Sequence, residues 1–403
     1  MENINRTQLF RAACLSLLVT SLSFGIRAGI LNKLGTDFQL DKAQLGSITA
    51  TAFWGFPLAV VFGGIIVDLI GMKRLLVLAF VFHLAGILLT VFAQGYWTLF
   101  LSTLLIGLAN GTVEAACNPL VTSLYPDNKT TKLNHFHLWF PGGIVIGTLI
   151  VLLFNKINIG WQVQVGVMLI PTLIYGYLFS RLNFPVTERV ASGVSTAGMY
   201  KALWNPLFIF MFICMFGTAI TELFTGQWID VLLKNVTDNA ILILTLDTGV
   251  MVIGRGFAKP VLKRFPPQVV LLMSTILASV GIYMLSTVSG PAIYAAAIIF
   301  GMGVCYFWPT MLGFVNENLP KTGALGLNLM GGAGMFAVSL YMIVMGAHYD
   351  NILKQANGDN TIAGREILQT TLVIPLVLIV AFGGLVVYMR SKNKTQPIVN
   401  PVV

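Results

Sequence analysis

Apolar runs of about twenty residues recur from one end of this chain to the other, separated by short polar stretches. Wound as an α-helix at about 1.5 Å per residue, a run of that length crosses roughly 30 Å of hydrocarbon. Lipid offers backbone amides no hydrogen-bond partner, so runs of this kind must close their hydrogen bonds internally, as helices. Twelve are counted, at approximately 12–33, 46–68, 75–94, 97–124, 135–154, 162–182, 206–229, 239–258, 268–287, 291–315, 323–346 and 367–389. No interval between them is long enough for a separate soluble domain. Composition agrees, with 56% of the 403 residues hydrophobic and 10% charged, where a soluble domain is about 25% charged. The expected fold is an all-α membrane protein of twelve transmembrane helices. Arg6 and Arg11 before the first run have the form of a secretory signal, but the spans that follow make that run the first membrane helix.

A net charge of +9 would suggest nucleic acid in a soluble protein; here its distribution carries more information, and no nucleic-acid partner is expected. With both termini cytoplasmic, cytoplasmic segments hold seventeen Lys and Arg, counting Arg255. The opposite side holds six, Lys33, Lys42, Lys156, Lys234, Lys354 and Arg365. By the positive-inside rule the chain is a multi-pass protein of the plasma (inner) membrane with cytoplasmic termini. Cys14, Cys117, Cys214 and Cys305 all fall inside the apolar runs, too far apart for a metal-ligand pattern, and read as small packing residues.

The segment 183–205 is polar and separates six helices from six, giving an N-terminal bundle (1–182), a cytoplasmic linker (183–205) and a C-terminal bundle (206–403). Internal repetition supports the division. "GGIIVDLIGMKRLL" (63–76) and "IGRGFAKPVLKRFP" (253–266) align Gly64 with Gly254, Lys73 with Lys263 and Arg74 with Arg264 at an offset of 190, and Pro119 meets Pro309 at the same offset. Two parallel six-helix repeats are a mark of secondary transporters that rock one half against the other around a central site. In "GIIVDLIGMKR", Gly64 permits close helix approach, Asp68 can pair with a cation or face a helix N-terminus, Gly71 allows a tight turn, and Lys73 and Arg74 flank it. Charge-assisted bonds across the halves that break during rocking suit a gate. This spacing resembles the signature of the major facilitator superfamily, and the resemblance covers essentially the whole chain.

Four charged residues are read as lying mid-bilayer, away from the ends of the runs: Arg27, Glu114, Glu222 and Asp247. Each costs about 2.5–3.5 kcal/mol mid-bilayer on the insertion scale, so each is a site candidate. Asn110 and Asn118 lie one turn to either side of Glu114, making a polar stripe, and Pro119 frees the carbonyl of Ala115 and bends the helix beside it. Glu114, Glu222 and Asp247 are candidates for carrying a coupling proton. Arg27 stands either as the partner of Glu114 or as a carboxylate-binding group for a sugar acid or other organic anion. A sugar presents polar edges and an apolar face, so Asn110, Asn118 and Gln227 are candidates for the first, and His137, Trp139, Trp228 and Trp308 for the second.

"EAACNP" (114–119) is similar to the "ETAANP" of the fucose-proton symporters, a sugar-transporting branch of that superfamily, and "LYPDNKTTKLNHFHLWFPGG" continues in the same way. The resemblance implies proton coupling at Glu114 and a structural role for Asn118 and Pro119. Two positions depart from it: the branch's acidic residue on the first helix has no counterpart in "FGIRAGIL", and an asparagine on helix five is replaced by Phe140. The expected function is proton-coupled sugar uptake by one chain acting as a monomer. No zinc-protease, nucleophile-elbow or nucleotide-loop motif is present, so neither enzyme activity nor a cofactor or metal is expected. A membrane sensor built on a transporter-like fold is the alternative of a different class.

Overall fold

The computed structural model describes residues 4–40, 42–226 and 240–395, and among them the chain is almost wholly helical. The membrane helices are α1 (Arg6–Asp37), α2 (Lys42–Ile70), α3 (Met72–Val91), α4 (Tyr96–Leu124), α5 (Lys129–His137 continued by Trp139–Lys156) and α6 (Trp161–Gly166 continued by Leu169–Arg181). The second set is α7 (Pro206–Ala219 with the π turn Ile220–Phe224), α8 (Ala240–Gly256), α9 (Pro267–Thr287), α10 (Ala292–Val304 continued by Phe307–Asn318), α11 (Gly323–Gln355) and α12 (Asn360–Thr395). Eleven of these are long and apolar enough to cross a membrane, and α8 has 17 described residues. Several helices outrun their apolar stretches, α12 and α11 by more than a turn, because polar end turns continue the helix beyond the hydrocarbon.

Packing follows the repeat. The neighbours α2–α4, α3–α4, α1–α5 and α3–α6 recur as α8–α10, α9–α10, α7–α11 and α9–α12. The halves meet along α2–α11 and α5–α8, and again along α4–α11 and α5–α10. Large apolar side chains such as Phe62, Leu69, Ile170 and Val380 lie on the outer surface, where lipid is the solvent.

Proline explains the breaks inside α5, α6 and α10. Pro141, Pro171 and Pro309 each stand a few residues past an interruption, where the missing N–H removes one helix bond. In α4 the helix runs through Pro119 unbroken.

At the end that carries the basic turns, the motif around Gly64 keeps its expected turn and pairs Asp68 with a cation, but Asp68 makes that bond to the linker and not across the halves. Gly71 has φ +86, a conformation that suits glycine at the α2–α3 turn. Asp68 does not reach the opposite half. Its carboxylate takes the Arg189 Nε at 2.5 Å and the Thr187 hydroxyl, both from the segment that joins the halves. Lys73 donates to the Leu182 carbonyl at 3.0 Å, and Arg74 is exposed. The short helix Glu188–Ala191 of that segment also pairs Glu188 with Lys129 at 2.5 Å, so it straps the ends of α2 and α5. Bonds between the halves at this end come from elsewhere. Glu317 on α10 accepts from the backbone N–H (3.1 Å) and hydroxyl (2.5 Å) of Thr130, filling an orphan donor in the first turn of α5.

Candidate functional site

Three carbonyls at the centre of the bundle lack a helix donor because the residue four positions on is proline: Ala115 before Pro119, His137 before Pro141 and Cys305 before Pro309. Side chains fill all three. Asn328 on α11 donates its Nδ2 to the Ala115 carbonyl at 2.9 Å. Arg255 on α8 donates Nη1 to the His137 carbonyl at 2.8 Å and Nε to the Cys305 carbonyl at 2.6 Å. Its Nη2 reaches Glu222 Oε1 at 2.7 Å. Arg255 is 1% exposed, so it is no surface anchor and leaves the group of basic-end residues in which its position near a helix end had placed it. It is the main functional candidate missed from sequence; the signal was a guanidinium inside an apolar run together with two proline-freed carbonyls.

Asn328 and Arg255 both cross between the halves, and Gly64 makes the first crossing possible. A Cβ on Gly64 would lie 2.6 Å from the Asn328 Cβ. Glu222 sits in the π turn of α7, an insertion frequent at functional sites because it re-aims a side chain. Its second oxygen, Oε2, is buried without a hydrogen-bond partner among the described residues, as is Oδ1 of Asp247.

Glu114 faces a second, tightly specified group. Asn118 donates Nδ2 to Glu114 Oε2 at 2.7 Å, which orients the amide and turns its carbonyl oxygen toward His137 Nε2, 3.0 Å away. Nε2 must then be the donor. The other ring nitrogen, Nδ1, faces Glu114 Oε1 at 3.8 Å. A neutral imidazole and an ionised carboxylate would present lone pair to lone pair across that gap, so the pair is relieved by one proton, on either partner. Burial of both side chains removes the water that would otherwise separate them.

These groups line a small pocket with Phe56, Phe140, Trp308 and Met335, which shares Phe140, Glu222 and Leu223 with a larger cavity of about 300 Å³ between the halves. The cavity wall comes from α1, α5, α7 and α8, including Phe24, Thr148, Asp247 and Thr248. Its volume falls at the small end of the range for small-molecule pockets. Phe24 and Phe140 stand 5.9 Å apart, centroid to centroid, and supply aromatic faces expected instead from His137, Trp139, Trp228 and Trp308. Trp308 is on the wall with its indole Nε1 unpartnered among the described residues.

The structure thus gathers Glu114, His137, Glu222 and Trp308 on the small pocket, with Asp247 on the wall of the adjoining cavity and Asn118 joined to the group through its bonds to Glu114 and His137. Other expected members go elsewhere. Asn110 turns into the N-terminal half, where its Oδ1 accepts from His83 Nε2 at 2.8 Å and its Nδ2 donates to Ser23 at 3.1 Å, so the polar stripe on α4 divides. Trp139 is not on the cavity wall; its carbonyl holds Ser21 at 2.9 Å. Arg27 does not meet Glu114 and lines a separate cavity inside the N-terminal half. Gln227 and Trp228 lie outside the described residues. Among the described residues no cluster of His, Cys, Asp or Glu could hold a metal ion.

Comparison with known proteins places this geometry. The first curated relatives match over less than half of the chain: facilitated glucose transporter member 10 of Xenopus laevis is 26% identical over 172 residues, covering 42% of this chain and 31% of that protein. This chain therefore spans about a third of that relative's length. A probable sugar efflux transporter of Haemophilus influenzae is 21% identical over 75% of this chain and 77% of its own. Among solved structures, FucP in the outward conformation superposes with a TM-score of 0.72 at 17% identity, covering 91% of this chain and 98% of that one. The proton:xylose symporter XylE gives 0.69 at 14% identity, covering 92% and 94%. The Major Facilitator Superfamily model matches residues 13–347, most of the length on which the two six-helix bundles and their shared cavity are built. The chain belongs to the major facilitator superfamily.

Proposed function

We propose that the protein is a secondary active transporter that takes up a sugar by alternating access, with a proton as the coupling ion. The observation that carries this reading is the Glu114–Asn118–His137 group, in which a fixed amide leaves two acceptors facing each other 3.8 Å apart beside the cavity. A site that needs one proton when closed, and can shed it when water enters, is what coupling requires. Charge balance points the same way. Among the described residues Glu114, Glu222 and Asp247 stand against one guanidinium, Arg255, so these walls carry excess negative charge unless protons bind. That excess disfavours an anionic cargo, and Arg27, the group proposed to hold a sugar acid, is not on the cavity wall. Phe24 and Phe140 suit the apolar face of a pyranose, and the carboxylates and Thr248 suit its hydroxyls.

The relatives named for glucose, xylose and fucose transport support the substrate class. Residues 1–182 and 206–403 serve as the rocking bodies and 183–205 as their linker, in the plasma (inner) membrane with both termini and the basic end cytoplasmic. Asp68, through Arg189, holds that linker against the basic end of α2.

The test is counterflow and gradient-driven uptake in proteoliposomes with a panel of sugars and sugar acids, for wild type and Glu114→Gln. The variant is expected to lose uphill uptake and keep exchange. Uphill uptake at the wild-type rate would remove Glu114 from coupling.

A further inference from the structure

Arg27 is the charge this reading leaves unused. It stands on α1 in a cavity of about 30 Å³ enclosed by α1, α2, α3, α4 and α6, wholly within the N-terminal half. Both terminal nitrogens, Nη1 and Nη2, are buried with no hydrogen-bond partner among the described residues. The two arginines buried as whole residues each have a carboxylate: Arg189 has Asp68 at 2.5 Å and Arg255 has Glu222 at 2.7 Å. No acidic side chain lies within ion-pair distance of Arg27 among the described residues. The Phe24 ring lies 5.8 Å from the guanidinium carbon, a weak contact beside the cost of an unpaired buried cation.

A guanidinium cannot discharge itself by losing a proton in a protein, so the charge is permanent. Water in the cavity would answer its hydrogen bonds but not its charge. We propose that the cavity is a binding site for a monoatomic anion, chloride in the cell, held by Nη1 and Nη2 of Arg27. Size selects that class. The space admits one or two water-sized species, which excludes a sugar acid and larger oxyanions. The wall is mostly apolar, with Ser23, Thr90 and Thr103 as its hydroxyls, which suits a large, weakly hydrated ion. Ser23 also links the site to the buried chain Asn110–His83–Tyr175, joined at 3.1, 2.8 and 2.7 Å, so occupancy bears on packing through α1, α3, α4 and α6.

The experiment compares the purified protein in nanodiscs in chloride, bromide and gluconate at constant ionic strength. Chloride and bromide are expected to raise Tm by about 2 °C over gluconate, saturating with concentration. Arg27→Gln should abolish the halide dependence while still folding; Thr103→Val, a milder change, should move the half-saturating chloride concentration upward. Bromide-soaked wild-type crystals should give an anomalous peak against the Arg27 guanidinium, a readout independent of any variant. Equal Tm in chloride and gluconate for wild type, a halide effect that persists in Arg27→Gln, or bromide density absent from this cavity would each overturn the proposal.

Discussion

Replacing Arg255 with lysine keeps the charge and removes the fork. Arg255 uses three nitrogens in three directions, to Glu222 at 2.7 Å, the His137 carbonyl at 2.8 Å and the Cys305 carbonyl at 2.6 Å. A single ammonium that keeps Glu222 leaves both carbonyls without a donor, and proline denies each its helix bond. An unsatisfied buried group costs about 1–3 kcal/mol, so Arg255→Lys should destabilise by about 2–6 kcal/mol. That is a large part of the roughly 5–15 kcal/mol typical of a folded domain. The mechanism is isolated by adding Pro309→Ala, which returns an N–H to the Cys305 carbonyl. In the wild-type background that carbonyl already has Arg255; in the lysine background it has nothing. The two changes should therefore couple by about 1–2 kcal/mol, the double variant being more stable than the sum of the singles predicts. Equilibrium unfolding of all four proteins in mixed micelles measures this. Additivity within about 0.5 kcal/mol would refute the idea that Arg255 stands in for proline-deleted helix bonds.

Other outcomes follow from the same geometry. Asp68→Asn leaves Arg189 buried without its carboxylate, and should loosen the segment around Glu188–Ala191; a cysteine placed at Ser192 should then label faster from the basic end, and an unchanged rate would count against a strap. Gly64→Ala sets a methyl 2.6 Å from the Asn328 Cβ and should cost about 1–3 kcal/mol by displacing the bond to the Ala115 carbonyl, read by thermal unfolding. His137→Phe keeps the ring volume and deletes both nitrogens; it should lower the proton dependence of uptake while retaining sugar binding, whereas full proton dependence would place the relevant proton on another group. If purified protein binds a sugar in liposomes yet moves none, the sensor alternative replaces transport.

Much of the fold was legible without coordinates because lipid allows so little. The unpaired backbone problem leaves helices as the solution, the apolar runs set their number, and the offset of 190 exposed the twofold repeat. Within the site, Glu114 declared itself by being charged in an apolar run, and Pro119 by the carbonyl it must free. Asn110 looked equivalent to Asn118, since both stand one turn from Glu114; the direction each takes depends on which neighbour, His83 or His137, packs against it.

The sequence by itself determined the twelve helices, the two halves and the presence of buried charge, because these follow from local period, length and transfer cost. Only the tertiary structure decided which charges meet. Arg255 lies next to a helix end, where a solvent-seeking anchor and a buried ligand have the same sequence appearance; packing of α8 against α5 and α10 turns it inward onto the carbonyls that Pro141 and Pro309 leave free. Arg27 shows the converse. Its sequence position suggested the cargo site, yet the close packing of α1 among α2, α3, α4 and α6 sends its guanidinium into a separate chamber, since a helix of fixed period offers each side chain one direction and the neighbours determine what lies there.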